Sequence, residues 1–183
     1  AFAFVFDMDR LFEQFIASFL QTYSRLILPE EWQDLPIELQ GSISKRHLVL
    51  PMPLPEKPMF PLKPDILLGL PGQPNLIIDT KNKALPLKQS YRAVAEGDAY
   101  QMLAYATQFH CRSVLLLYPH TLGAEVFTPK MLMVEQTSIR IFVATLNLHQ
   151  PLNQIFPLIQ EFRNILYSTL SQVGSPSEVI WPA

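Results

Sequence analysis

Three residues stand out by type and spacing: Asp65 in Pro64-Asp65, and Asp79 and Lys81 in Asp79-Thr80-Lys81. Between them lie two short apolar runs, Ile66-Leu67-Leu68 and Leu76-Ile77-Ile78, joined by the turn residues Pro71-Gly72-Gln73-Pro74. Runs of that kind read as strands buried on both faces, and the turn between them predicts a hairpin. Asp65 then enters the first strand where Asp79 and Lys81 leave the second, so all three collect at one end. Side chains alternate along a strand, which gives Asp79 and Lys81 one face and turns Thr80 to the other.

Register decides whether this is a site. With Gly69 opposite Asn75, Asp65 falls opposite Asp79 on one face, with Cβ atoms about 5 Å apart. A one-residue slip sends the carboxylates to opposite faces unless a bulge restores the count. Two carboxylates that close repel each other unless a cation lies between them, so the pattern predicts a divalent metal site. Lys81 beside it would hold or activate a water, or stabilise charge developing on a phosphate. The chemistry is metal-assisted hydrolysis of a phosphodiester. Taken separately, Pro-Asp is a common dipeptide and Asp-x-Lys a solvated strand end; the hairpin is what joins them.

Other elements must position this hairpin. Asp7 or Asp9 is a good N-cap for a helix whose Leu11, Phe12, Phe15, Ile16, Phe19, Leu20 and Tyr23 form one wide apolar stripe. Glu13 borders that stripe, either as a solvated first-turn carboxylate or as a group reaching toward the sheet end. Residues 28–41 read as an acidic connection with at most a short helix. Residues 46–50 predict a strand neighbouring the hairpin. The prolines from Pro51 to Pro64 predict a stiff polyproline loop leading to the mouth of the site.

Beyond Lys81, residues 82–94 carry Lys83, Lys88 and Arg92 without a regular period, as a loop that could meet a phosphate backbone. A helix over 95–109 places Asp98, Gln101, Met102 and Tyr105 on one stripe, where buried polar groups need partners. A capping box of Asp98 with Gln101 is the plainer account of two of them. Residues 113–118 predict a strand pairing in parallel after the helical crossover. Further strands are expected at 126–127, 131–135 and 139–145, then a helix over 151–170 with Pro157 in its first turn or at a kink, and a tail from Gly174. The expected class is α/β, a mixed central sheet flanked by helices.

Composition narrows the function. The chain of 183 residues is long enough for one domain with a real core, 1–183, and its start without Met points to the C-terminal fragment of a longer chain. Charged residues make up only 16% against 49% hydrophobic, so a partner or further chain is expected to cover apolar surface. A net charge of −2 gives no global nucleic-acid signature, leaving DNA contact to local cations such as Lys45, Arg46, Lys63 and Lys83. One cysteine, Cys111, excludes internal disulfides and makes a reducing cytoplasm the default. No run has the length of a membrane span, and no phosphate-binding loop, dinucleotide fingerprint, serine elbow or His-Glu-x-x-His motif occurs.

The order helix with Glu13, Pro64-Asp65, hairpin, Asp79-Thr80-Lys81, helix with Gln101 and Tyr105 resembles the PD-(D/E)xK nuclease superfamily and its restriction-endonuclease-like core. The Gln-x-x-x-Tyr spacing is similar to the subset that includes RecB-type nuclease domains. More narrowly, Asp9-Arg10-Leu11-Phe12-Glu13-Gln14-Phe15, Leu62-Lys63-Pro64-Asp65-Ile66, Ile77-Ile78-Asp79-Thr80-Lys81 and Asp98-Ala99-Tyr100-Gln101-Met102-Leu103-Ala104-Tyr105 resemble the McrC family, nuclease subunits of McrBC modified-cytosine restriction systems. The resemblance implies Asp65 and Asp79 as magnesium ligands (manganese substituting), the Thr80 carbonyl beside them, Lys81 as catalytic lysine and Glu13 as an accessory catalytic ligand. It assigns Gln101 and Tyr105 to support of the site or the DNA backbone, and Lys83 stands with them as a site or DNA contact. It further implies DNA as substrate and a McrB-like GTP-hydrolysing AAA+ partner, engaged through a region this chain lacks. The alternatives are a nuclease-like module that only binds DNA or a protein, and a RecB-type exonuclease acting on ends.

Overall fold

The computed structural model describes residues 7–52, 57–83, 85, 94–120, 129–149 and 154–176. Asp7 is the N-cap of the first helix, α1 (Met8–Ile27), its side chain accepting from the Arg10 N–H at 3.1 Å. The stripe buries Phe12, Ile16, Phe19 and Leu20, but Leu11 remains 50% exposed because it lies beyond the edge of the face that meets the sheet. A 3-10 turn (Glu30–Trp32) follows and buries Trp32.

Eight strands are described: β1 (Ile37–Leu39), β2 (Arg46–Val49), β3 (Met59–Leu62), β4 (Ile66–Leu70), β5 (Gln73–Thr80), β6 (Ser113–Pro119), β7 (Lys130–Met133) and β8 (Arg140–Leu146). Six of them form a mixed sheet in the order β1-β4-β5-β6-β8-β7, with β5-β6 and β6-β8 parallel and the remaining pairs antiparallel. The parallel step from β5 to β6 runs through α2 (Glu96–Gln108), as the crossover predicts. α3 (Ile155–Val173) carries Pro157 in its first turn and stops at Gly174, whose φ of +92° ends the helix. Among the described residues, no helix is long and apolar enough to cross a membrane.

Alternation along the central strands makes two cores. Ile66, Leu68, Leu76, Ile78, Leu115 and Leu117 face α1 and α3, where Phe19 stacks on Phe162 with centroids 6.4 Å apart. Leu67, Ile77, Val114, Leu116 and Tyr118 face α2, packing with Met102, Tyr105 and Phe109. The result is three layers, helix pair on sheet on single helix, with strands buried on both sides as their unbroken apolar runs require. Phe156, expected on the α3 stripe, is 70% exposed in the first turn of that helix.

Two expectations fail. The strand over 46–50 is not a neighbour of the hairpin; that place belongs to β1, a three-residue strand whose Ile-Glu-Leu pattern is too short to announce itself. β2 pairs instead with β3, in a separate two-stranded ribbon. Consequently the proline-rich stretch is not wholly a polyproline loop: Met59–Leu62 is a strand, and its Pro61 is tolerated because a two-stranded ribbon has only edges. The strands expected at 126–127, the residues before Asp7 and most of the 82–94 loop, with Lys88 and Arg92, lie outside the described residues.

A buried acid ties the ribbon's base to the sheet. Glu38 on β1 is 5% exposed and accepts from the Ile43 N–H (2.7 Å), the Ser44 N–H (2.6 Å) and the Ser44 hydroxyl (2.7 Å). Ser44 in turn accepts from the Gly72 N–H at 2.7 Å, linking this loop to the hairpin turn. Glu38→Ala removes the acceptor for two backbone donors, and we expect a loss of about 2–4 kcal/mol in urea unfolding with the m-value unchanged.

Candidate active site

The β4-β5 hairpin positions the acids through a bulge. Near the site Ile66 faces Ile78 and Leu68 faces Leu76, but at the turn Gly69 faces Pro74 rather than Asn75. The tight turn imposes a one-residue slip, and the bulge at Leu68/Gly69 restores the count, with Asn75 as the extra residue. Continuing the register beyond Ile66–Ile78 sets Asp65 opposite Asp79, on the face that carries Leu67 and Ile77.

Asp79 is 2% exposed, and its Oδ2 lies 2.5 Å from the Lys81 Nζ. The lysine ammonium is the cation that this buried oxygen meets, and it acts on Asp79 by charge and by hydrogen bonding. Burial, then the negative charge of Asp65, pushes the Asp79 carboxyl up to about 7 against the pull of Lys81. Burial also raises Asp65, opposed by its bonds to Thr80 and reinforced by the charge of Glu13.

Thr80 departs from expectation. Facing away from Asp79 along the strand, it still reaches Asp65, whose Oδ2 accepts from the Thr80 N–H at 2.7 Å and from the Thr80 hydroxyl at 2.6 Å. One oxygen of Asp65 is thereby fixed and the other left for the cleft. Both carboxylates are held where negative charge is costly, and Lys81 alone does not offset the cost at Asp79. That is a chemical fit for a divalent cation, which needs only one or two carboxylates with carbonyl and water oxygens completing its shell.

Lys81 is fixed from the α2 side. Its Nζ donates to Gln101 Oε1 at 2.8 Å, and Gln101 Nε2 donates to the Tyr105 hydroxyl oxygen at 2.8 Å. Tyr105 is 3% exposed, and its phenol is raised by burial and by the charge of Asp79, so it stays neutral. Asp98 is not a capping box partner: the helix is capped at Ala95 without a side chain, and Asp98 Oδ2 takes the Tyr118 hydroxyl at 3.1 Å and the Lys83 ammonium at 2.5 Å. Lys83 is thus an ion-paired wall of the cleft.

An open cleft of about 350 Å³ is lined by Asp9, Glu13, Asp65, Thr80, Lys81, Asn82 and Lys83. Glu13 shares the cleft with Asp65 but is held by Gln40 Nε2 at 2.6 Å, and among the described residues no three His, Cys, Asp or Glu side chains converge closely enough to hold one ion. Asp65 lies between the two other acids electrostatically: its charge raises Asp79, and the charge of Glu13 raises Asp65. The sequence reading missed Asp9 and Gln40. The four-residue spacing of Asp9 and Glu13 on α1 was the available signal for Asp9. Gln40, at φ +53°, also donates its N–H to the Asp65 carbonyl at 2.9 Å, and nothing in its local sequence announces that role.

A pH effect follows from Asp79. The folded chain keeps a proton that the unfolded chain releases above its ordinary value of 3.8, so stability falls as pH rises from there through about 7. In EDTA, wild-type protein is expected to melt several degrees lower at pH 8 than at pH 5, and Asp79→Asn to remove most of that difference.

A family profile described as McrBC 5-methylcytosine restriction system component matches residues 1–119 of the 183. Among curated proteins none matches. Among solved structures, the fold is similar to a chain in a refined half-complex from the tetradecameric assembly of Thermococcus gammatolerans McrB AAA+ hexamers with bound McrC, at 17% identity and a TM-score of 0.57. That match covers 91% of this chain and 34% of the other, so the chain spans about a third of its neighbour's length. The family match takes in Glu13, the Asp65–Asp79–Lys81 hairpin, and Gln101 with Tyr105 on α2, and on it the chain belongs to the McrBC 5-methylcytosine restriction system component family.

Proposed function

We infer that this chain is a PD-(D/E)xK endonuclease domain of the McrC kind, with a restriction-endonuclease-like core, cutting DNA in a modification-dependent restriction system. The observation that carries the reading is the convergence of Asp65, Asp79 and Lys81 at one sheet end, with Lys81 2.5 Å from Asp79 and braced by Gln101. Asp65 and Asp79, with the Thr80 carbonyl, would hold magnesium or manganese. Such an ion, when bound, neutralises charge on the phosphate and makes a water nucleophilic.

The chain's own groups do the rest. Thr80 holds Asp65 in one rotamer through two bonds to a single oxygen, so the carboxylate need not reorganise during the reaction. Gln101 keeps the Lys81 ammonium at the cleft, where it orients water and offsets the negative charge that grows as oxygen attacks phosphorus. Asp9 and Glu13 add negative charge to the cleft while Lys81 and the Asp98-paired Lys83 are its cations, so a phosphate backbone is expected along the Lys81–Lys83 side.

Because the neighbouring structure is an McrB–McrC assembly, a McrB-like AAA+ GTPase is the proposed partner that regulates cutting. The test is cleavage of closed circular DNA carrying 5-methylcytosine, with magnesium and that partner. Linearisation supports the endonuclease; digestion only of DNA with free ends favours a RecB-type exonuclease. In the same assay Gln101→Leu is expected to lower kcat on the order of 10–100-fold with little change in KM, since it displaces Lys81 without touching substrate.

A further inference from the structure

The β2-β3 ribbon is used by nothing described so far. Its outer half exposes Leu48, Val49, Met52, Met59 and Phe60, with Met52 76% and Phe60 59% exposed. The ribbon's base packs on the α2 side through Leu62, but the apolar side chains on its outer half stay exposed and call for something to cover them. Charge says what. Residues 42–63 hold Lys45, Arg46, Lys57 and Lys63 against Glu56 alone, a net of +3 that leaves −5 for the rest of a chain whose total is −2. Lys45, Lys57 and Lys63 are exposed, and among the described residues no carboxylate lies within ion-pairing distance of them.

Position supplies the second argument. β3 ends at Leu62, and the chain reaches Asp65 three residues later. Three extended residues span at most about 10 Å, or about three nucleotide rises of ~3.4 Å along one DNA strand. The ribbon base is also fixed to the site's frame, through the Glu38–Ser44–Gly72 bonds and the packing of Leu62 against the α2-side core. A two-stranded ribbon has the width of a DNA major groove, and apolar side chains there meet thymine methyls.

Resting on the nuclease reading, we propose that the β2-β3 ribbon is a duplex-DNA grip flanking the cut: Lys45, Lys57 and Lys63 bind backbone phosphates while Met59 and Phe60 enter the groove. An acidic protein surface could also cover these side chains; what favours DNA is the place of the cations, on a ribbon that ends three residues before Asp65.

The test uses the full chain and a fluorescently labelled duplex oligonucleotide in EDTA, reading anisotropy across a salt series. The triple variant Lys45→Ala/Lys57→Ala/Lys63→Ala is expected to flatten the slope of log Kobs against log salt by about 2.7, at ~0.9 per phosphate contact. Met59→Ser/Phe60→Ser is expected to weaken binding at least tenfold with the slope unchanged, its circular dichroism matching wild type. A triple-variant slope equal to wild type overturns the proposal, as does a Met59/Phe60 variant that binds DNA normally but loses self-association or a protein partner. The two readings separate cleanly. Altered slopes in a chain that never cuts DNA with magnesium sink the nuclease and leave the grip, whereas unaltered slopes in an active nuclease sink the grip alone.

Discussion

Asp79→Ala and Lys81→Ala are each expected to reduce magnesium-dependent cleavage of circular DNA by at least about a thousandfold, with circular dichroism close to wild type and, for Asp79→Ala in EDTA, a melt at or above that of wild type. The loss is large because the other groups of the cleft are already engaged, Lys83 by Asp98 and Glu13 by Gln40. Removing a preorganised electrostatic donor or ligand typically costs two to three powers of ten in rate, and Asp79 is the more buried acid of the pair. The fold survives because Asp79 does not stabilise it: its charge is held in a buried place against Asp65. A group that destabilises the resting fold yet is indispensable to turnover is the mark of a functional carboxylate. Lys81→Ala leaves Asp79 without its cation, so its melt in EDTA is expected to drop more at pH 8 than at pH 5. Addition of magnesium should recover more stability in wild type than in either variant.

Gly69→Ala is expected to disrupt the proposed site from the far end of the hairpin. Gly69 adopts φ +129°, a conformation L residues rarely take, and a Cβ there would lie 2.5 Å from Asn75 Oδ1, 2.6 Å from Asn75 N and 3.1 Å from Pro74 Cα. The Asn75 side chain cannot simply swing away, since its Nδ2 donates to the Pro176 carbonyl at 3.2 Å and two of the three clashes are with backbone. Strain and overpacking together predict a loss of roughly 2–5 kcal/mol. The more telling effect is on register. Without the bulge the tight turn sets β5 one residue out, which turns Asp79 and Lys81 from the α2 face to the α1 face. Hydrogen exchange would then show weakened protection across β4-β5, together with loss of cleavage larger than the fraction unfolded explains.

What the sequence made legible was whatever repeats locally. The apolar runs on either side of Pro71-Gly72 gave the hairpin, and the four-residue spacing put Gln101 and Tyr105 on one helical stripe, but that their bonds end on Lys81 was not legible from spacing. β1 was hidden, since three residues carry no period and their partner is supplied by tertiary contact with β4. The ribbon was hidden by its own composition: prolines argue against a central strand but not against an edge, and no local rule distinguishes an edge strand from an extended loop. Asp65 was placed at the right end of the hairpin, yet its bonds to Thr80 were out of reach, because they depend on a side-chain rotamer rather than on strand alternation. Glu13 illustrates the same boundary. Its position at the rim of the cleft follows from the helix, whereas its capture by Gln40 depends on a backbone at φ +53° some distance along the chain.

The whole account turns on whether Asp65 and Asp79 can share an ion. Crystals soaked in manganese, with data collected for anomalous scattering, answer that most directly. A single strong peak at about 2.0–2.2 Å from an oxygen of each carboxylate, lost in Asp79→Asn, is the predicted result. A map with no peak there, or with manganese bound elsewhere while the two carboxyls stay apart, contradicts it.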